Sequence, residues 1–228
     1  MINGERLTFD VLGLYQDVFM MRDRQTGTVW AHLDGNALQG PLVGERLAFV
    51  PLPQMAWADW LAEHPETLVL DPDTPYKDRY RSVRIGQPNR GEALWGDDRL
   101  AANALVVGVE ANGAFVGFPI DSVGREGGVV NTEVGGVPVV VVYDADSQTG
   151  IAFERTVGGR TLEFANTPAI RGFRLRDAQT ASTWDIGGHA VEGPLVGTSL
   201  NFVPSFISEW YGWSGYHPET GLYAGSSA

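Results

Sequence analysis

The last third of the chain repeats its first third, and this duplication constrains the fold more than any single motif. Residues 22–67 and 176–220 share 22 identical positions. Both segments contain R-D-x-Q-T, G-P-L-V-G, F-V-P, a pair of tryptophans and H-P-E-T, in that order. The offset between the two segments is 154 residues at R-D-x-Q-T and 153 from G-P-L-V-G onward. The second segment is therefore one residue shorter in the loop between these two motifs. Such self-similarity predicts two structurally equivalent units.

The repeat divides the chain into three parts. We expect a first unit over residues 2–70, a polar linker over 71–103 and a complete unit over 104–223. The complete unit consists of a strand meander (104–164) followed by a copy of the first unit (165–223), which we call the second copy. The parts could also form one continuous domain.

Turn and period signals predict a mainly β fold. Asn-Gly at 112–113 and Gly-Gly at 135–136 and 158–159 separate apolar runs, which is typical of β-hairpins. The run V-P-V-V-V-V-Y lacks alternation and predicts a strand buried on both faces. Apolar residues at helical spacing predict one short tryptophan-bearing helix per repeat, over 54–64 and 207–216. An antiparallel, hairpin-rich barrel or sandwich follows from these connections.

Composition excludes several classes of function. The net charge of −12 and the scattered arginines argue against nucleic-acid binding. With no cysteine, the chain has no disulfide, thiolate metal site or cysteine nucleophile. The longest apolar run is too short for a transmembrane span, and the first ten residues lack the features of a signal peptide.

The order of the motifs resembles the DUF3179 family. The resemblance is carried by V-G-V-E-x-N-G, V-V-N-T-E-V-G-G-V-P-V-V-V-V-Y-D and F-E-R-T-V-G-G-R-T-L-E-F, followed by G-P-L-V-G and W-x-x-W-x-x-x-H-P-E-T. It covers nearly all of residues 2–70 and 104–223. It implies a prokaryotic protein of the cell envelope, usually with two complete units, and it implies no particular biochemical activity.

The chain departs from the family pattern at its start and in its lack of cysteine. Residues 2–9 align with 157–164, the end of a meander, so the first unit lacks a meander of its own. We expect either a natively short gene or an internal start at Met1, with a cysteine-bearing half and an export signal upstream. Where the family has a Cys-Pro-Leu-Cys-like element, residues 143–147 contain none. The unmatched half either pairs with the central meander or promotes self-association through an unpaired sheet edge.

Four histidines are the candidate metal ligands, namely His32, His64, His189 and His217. His64 and His217 occupy equivalent positions after the two predicted helices, and the other two precede the G-P-L-V-G loops. Imidazole binds transition metals and titrates near neutral pH, so a two-histidine site in each unit is one interpretation. The alternative is a histidine that contacts the last carbonyls of a helix.

Tryptophans and aspartates are the remaining candidates. Trp57, Trp60, Trp210 and Trp213 could stack on a sugar or base, or they could anchor the core. A second pair, Asp144 and Asp146, follows the buried strand, where carboxylates could perform acid–base chemistry or bind Ca²⁺, or simply form a hairpin loop.

Two further aspartates, Asp23 and Asp177, recur at equivalent positions before a turn. An Asx-type turn accounts for them without any chemistry.

No residue pattern identifies a catalytic site, so three functions stay open. The first is an envelope-associated binding or structural protein without catalysis. The second is a metal-binding or redox-linked protein that uses the histidines. The third is a polysaccharide hydrolase that uses Asp144 and Asp146. No partner can be named from the sequence.

Overall fold

The structure is a computed structural model of the 228-residue chain. The predicted start of the first tryptophan-bearing helix and most of the predicted linker lie outside the residues that it describes. The described residues are 2–52, 57–70, 73–76, 79, 97–168 and 172–225.

The first unit forms one small sheet and a helix. Its elements are β1 (Phe9–Tyr15), β2 (Val18–Asp23), β3 (Val29–Ala31), β4 (Ala37–Gln39) and α1 (Trp57–Glu63). The apolar, β-branched and aromatic content of residues 47–51 predicts a strand, but residues 47–52 carry no strand assignment in the structure. Phe49 of this segment stacks on Phe206 with ring centroids 6.2 Å apart, but within the described residues the segment forms no ladder with another strand.

The meander follows the predicted hairpins closely. Its elements are β5 (Leu105–Ala111), β6 (Ala114–Pro119), α2 (Ile120–Arg125), β7 (Val129–Val134), β8 (Val137–Asp144), β9 (Thr149–Glu154), β10 (Thr156–Val157) and β11 (Arg160–Thr161). Both residues of each predicted turn have positive φ, as a two-residue type I′ turn requires. Helix α2 was not predicted, because six residues are too few to show a helical period.

The second copy continues the chain after the meander. Its elements are β12 (Phe164–Thr167), β13 (Arg174–Asp177), β14 (Thr183–Asp185), β15 (Ala190–Glu192), β16 (Asn201–Val203), β17 (Ser205–Glu209), α3 (Trp210–Tyr216) and β18 (Gly221–Leu222). The predicted helix at 207–216 is therefore shorter than expected. Residues 207–209 belong to β17, where they pair with β5.

The strands form four main sheets, and none of those built from described residues closes into a barrel. Sheet A has the order β1-β2-β3-β4, and sheet B has the order β17-β5-β6-β18. Sheet C has the order β16-β9-β8-β7, and sheet D has the order β12-β13-β14-β15. All neighbours within them are antiparallel except β18, which is parallel to β6. The fold is mainly β and sandwich-like, as one of the two predicted alternatives required.

Strand β8 lies inside sheet C, and its side chains alternate between two cores. Val139 and Val141 pack with sheet B, whereas Val140 and Val142 pack with sheet D. Every residue from 139 to 143 is buried. This confirms the prediction of a strand buried on both faces.

Sheet A packs on the side of sheet B that faces away from sheet C, and α3 lies on this same side. Val18 and Met20 pack around Tyr216 of α3, and Leu33 packs against the cluster that contains Trp210. The layers therefore follow the order A, B, C, D, with α3 between A and B. In the described part of the chain, no helix has the length and apolarity needed to cross a membrane.

A buried aspartate organises the hairpin at the centre of sheet D. Asp177 is 1% exposed, and its carboxylate accepts four hydrogen bonds. They come from Thr180 N (2.6 Å), Thr180 Oγ1 (2.8 Å), Ser182 N (3.2 Å) and Trp184 Nε1 (3.0 Å). Ser182 Oγ in turn accepts a bond from Leu195 N at 3.0 Å, which ties the G-P-L-V-G loop to the turn.

The same arrangement occurs in sheet A. Asp23 accepts bonds from Thr26 N (2.5 Å), Thr26 Oγ1 (2.8 Å), Thr28 N (3.1 Å) and Trp30 Nε1 (2.9 Å). This geometry confirms the Asx-type turn predicted for both aspartates. The two segments of similar sequence thus also share their sheet order and their turn geometry.

Hydrogen bonding lowers the pKa of Asp177. Burial by itself would raise this pKa, but bonds from Trp184, Thr180 and Ser182 outweigh burial and bring it below its ordinary value. A carboxyl whose pKa is lower in the folded state stabilises the fold above its unfolded pKa. That contribution is lost as pH falls through the folded pKa.

We predict that Asp177→Asn lowers the free energy of unfolding by about 2–4 kcal/mol at pH 7. The variant loses charge-assisted bonds and turns an amide N–H₂ towards buried donors. Urea denaturation measures the effect. Asp146→Asn, at an exposed position in another turn, is the control and should stay within about 0.5 kcal/mol of the parent. Equal losses in the two variants would contradict the prediction.

Candidate functional site

The two tryptophan-bearing helices share the same local geometry. Trp213 Nε1 donates to the threonine of its H-P-E-T motif at 2.8 Å, and Trp60 Nε1 donates to the equivalent threonine at 2.7 Å. The ring centroids of His217 and Trp213 are 4.7 Å apart, and those of His64 and Trp60 are 4.2 Å apart. Both occurrences of the motif W-x-x-W-x-x-x-H-P-E-T in this chain therefore have a helix, a ring pair and a hydrogen bond in common.

Helix α3 packs closely on sheet B because two glycines leave room for its rings. A Cβ atom on Gly108 would lie 2.3 Å from the Trp213 ring, and one on Gly117 would lie 2.9 Å from the Trp210 ring. Asp97 Oδ1 accepts a bond from Trp210 Nε1 at 3.0 Å. Both tryptophans are fully buried, as the core-anchor interpretation requires.

The first unit presents the equivalent side chains without a sheet to cover them. Trp57 is 51% exposed, whereas its counterpart Trp210 is 0% exposed. Val50 is 72% exposed, whereas Val203 is 6% exposed. The same trend separates the pairs Leu7/Leu162, Phe9/Phe164, Met21/Leu175, Leu47/Leu200, Trp60/Trp213 and His64/His217, of which only the second member is buried.

The difference does not arise from a poorly formed first unit. Trp30 and Trp184, which bond to the turn aspartates, are both fully buried. Exposure differs where the second copy contacts the meander. The residues of the first unit whose counterparts contact the meander are Leu7, Phe9, Met21, Leu47, Val50, Trp57, Trp60 and Leu68, and we call this set the open face.

A polar cluster fastens sheet A to the complete unit. Tyr216 Oη donates to Asp34 Oδ1 at 3.2 Å, and Arg46 Nε donates to the Asp34 carbonyl oxygen at 2.8 Å. Arg46 Nη1 also donates to Glu110 Oε1 at 2.7 Å. Burial, and then Asp34, raise the pKa of Tyr216 far above its ordinary value, so the phenol stays protonated and can donate.

Sequence reasoning missed all four residues of this polar cluster. One signal was present, because Asp34 lies in the loop whose extra residue changes the offset between the repeats from 154 to 153. Asp34, Arg46 and Tyr216 have no identical counterpart in the other copy. A contact between the two copies therefore depends on residues that the repeat does not share.

His217 is the only buried histidine of the four candidates. Its ring stacks on Phe115 with a centroid distance of 3.9 Å and an interplanar angle of 17°. Its Nε2 atom is buried and has no hydrogen-bond partner in the described structure. Burial lowers the pKa of His217 to about 4, although Asp34 and Glu110 oppose the shift. The ring is therefore neutral near pH 7.

The other three histidines are exposed. His32 contacts Phe19 with ring centroids 5.7 Å apart, and His64 contacts the Trp60 ring described above. His189 Nδ1 lies 3.2 Å from Asp185 Oδ1. Over the described ranges, no group of three or more histidine or carboxylate side chains is placed to hold a metal ion. The two-histidine site stays a prediction.

Asp144 and Asp146 lie in a third turn of the same kind. Asp144 Oδ2 accepts a bond from Ser147 Oγ at 2.5 Å, and Asp144 Oδ1 accepts one from Asp146 N at 3.2 Å. Ser147 Oγ lies 2.9 Å from Thr149 Oγ1, which repeats the Thr-to-Thr/Ser contact of the other two turns. The Asp146 side chain is exposed. A carboxylate pair for hydrolysis stays a prediction.

Comparison with known proteins identifies one family. A family model described as "Protein of unknown function (DUF3179)" matches residues 1–220 of this chain. No curated protein and no solved structure matches it.

We predict that His217→Phe removes a pH dependence of stability between about pH 6.5 and 4. Because the folded pKa is lower than the unfolded one, the unfolded chain binds the proton first and stability falls as pH drops through this interval. The full effect is on the order of 3 kcal/mol. Phenylalanine keeps the stack on Phe115 and cannot be protonated.

Denaturation at a series of pH values measures this effect, and His64→Phe is the matched control at the exposed equivalent position. The control should keep the parent slope. A His217→Phe variant with the parent slope would show that another group is responsible.

Proposed function

The chain belongs to the DUF3179 family, whose description assigns no activity, and we propose that it acts by binding another polypeptide through the open face. One observation carries the proposal. Trp57 and Val50 are solvent-exposed in the first unit, whereas their counterparts Trp210 and Val203 are buried against the meander, although both segments have the same local geometry.

The open face has the chemistry of an interface centre. Tryptophan is the residue most enriched at positions that dominate binding energy, and Trp57 and Trp60 stand side by side on α1. Val50 and Leu68, which precede and follow α1 in the chain, are 72% and 93% exposed. Removing such apolar surface from water contributes roughly 25 cal/mol per Å², so covering the two indoles and these side chains would contribute several kcal/mol.

The open face is also organised before any partner arrives. The bond from Trp60 to Thr67 and the contact between Trp60 and His64 fix one indole on α1. Preorganised side chains lose less conformational freedom on binding, which favours affinity. The resemblance to the family leads us to propose a prokaryotic cell envelope as the compartment for this role.

Photo-crosslinking at Trp57 tests the proposal. A photoreactive phenylalanine analogue replaces Trp57 in the full chain, which is then irradiated in the cells that produce it. We expect one discrete adduct with a polypeptide. The matched control places the same analogue at Val196, an exposed apolar residue outside the open face, and should give no such adduct. Adducts that are identical at the two positions, or none at Trp57, would contradict a binding role.

A further inference from the structure

We infer that the partner of the open face is a second β-meander, of the same kind as residues 104–156, the part of the complete unit that has no counterpart in residues 2–70. The inference rests on the proposed function and identifies the partner class. The chain contains its own example of the complex, because the second copy is bound to such a meander. Four of the contacts made there have an unfilled counterpart among the described residues of the first unit.

The first contact is strand addition at one edge of the meander. In the complete unit, β16 pairs antiparallel with β9, with Phe202 opposite Phe153. The counterpart of β16 in the first unit is residues 48–50, which carry no strand assignment. Val50 is exposed there, whereas Val203 is buried in the core. An incoming strand equivalent to β9 would supply the missing ladder.

The second contact is strand addition at the other edge. Strand β18 runs parallel to β6, with Leu222 opposite Gly117. The counterparts of β18 are Leu68 and Val69, which are 93% and 69% exposed. Such exposure is unusual for consecutive large apolar residues in a short segment. An incoming strand equivalent to β6 would cover them.

The third contact is the packing of indole rings over glycine. Trp213 lies over Gly108 so closely that no Cβ atom fits between them. Helix α1 holds Trp60 in the same local geometry as Trp213, but no described strand lies beneath it. The partner should therefore present two glycines on one face of a hairpin, at positions equivalent to Gly108 and Gly117.

The fourth contact is a side-chain bridge to the backbone. Asn131 Nδ2 donates to the Phe164 carbonyl oxygen at 2.7 Å, and its Oδ1 accepts from Phe164 N at 2.9 Å. Phe9 is the counterpart of Phe164 and packs on Trp30 as Phe164 packs on Trp184. The partner should carry an asparagine on its outer strand to meet Phe9.

The meander of another molecule of this chain is a poorer candidate than a meander whose surfaces are uncovered. In each molecule the relevant surfaces of the meander are already covered, because Gly108 faces Trp213 and Asn131 bonds to Phe164. Binding in trans would first require the second copy to detach. A polypeptide with an uncovered meander binds without that cost.

The experiment adds the proposed partner to the full chain. A copy of residues 97–156 is placed directly before Ile2, because Ile2 aligns with Val157. The added segment includes Asp97, so that the bond from Trp210 can also form for Trp57. We expect the backbone amides of residues 57–70 to exchange hydrogen at least about tenfold more slowly than they do in the parent chain.

The matched control carries Gly108→Ala and Gly117→Ala in the added segment alone. These methyl groups would meet the indoles of α1, so protection of residues 57–70 should be lost while the added strands stay protected. Protection that survives in this control would overturn the inference. So would unprotected residues 57–70 beside a folded added segment, or an added segment that stays unprotected itself.

Sedimentation of the parent chain tests whether a second molecule of this chain occupies the open face instead. A concentration-dependent dimer that Trp57→Ser dissolves would assign the open face to another molecule of this chain and overturn the inference; a monomer agrees with it. The two proposals fail separately. No polypeptide adduct at Trp57 contradicts the binding role, whereas an adduct without protection by the added meander contradicts only the partner class.

Discussion

The buried aspartate carboxylate in each tryptophan-bearing sheet is the interaction on which the architecture depends. A carboxylate that leaves water must recover its hydration energy from hydrogen bonds. Asp177 does so with four donors from one turn and one indole, and Asp23 does so with the same set. Because the indole comes from the next strand, the charge links the turn, the strand and the aromatic core.

The duplicated sheets differ in what their outer faces meet. Met20 and Ala31 of sheet A are buried against the side that carries α3. Their counterparts in sheet D are Arg174 and Asp185, which are half-exposed. The same hydrogen-bonded frame therefore supports two surfaces, and substitutions on one face decide whether a sheet lies inside the molecule or outside it. The polar contact between Asp34 and Tyr216 then fixes sheet A against α3.

Local motifs were readable from the sequence because their chemistry is local. The Asn-Gly and Gly-Gly turns, the unalternating β8 strand and the Asx-type turns require only neighbouring residues, and all were found. The predictions of a strand at 47–51 and of helix at 207–209 were wrong. Pairing with a distant strand decides the conformation of both segments, and such pairing cannot be read from neighbouring residues. Phe202 is in a strand because Phe153 lies opposite, and the first unit has no equivalent neighbour.

The candidate site was less predictable than the fold for a related reason. The motif W-x-x-W-x-x-x-H-P-E-T encodes ring contacts and one hydrogen bond, so sequence reasoning could locate Trp57 and His64 but could not tell whether they are covered. Burial depends on the neighbouring layer. His217 shows this directly, because its pKa falls to about 4 through burial beneath Phe115.

Comparison between copies therefore carries information that neither copy holds alone. A single exposed tryptophan on a surface helix needs no explanation. An exposed tryptophan whose counterpart lies fully buried over a glycine, within the same chain, indicates a specific absent surface. Trp57, Val50 and Phe9 are each less buried than a counterpart that contacts a different strand of the meander. Three independent strands indicate the same partner, which is why the open face is interpreted as a docking surface.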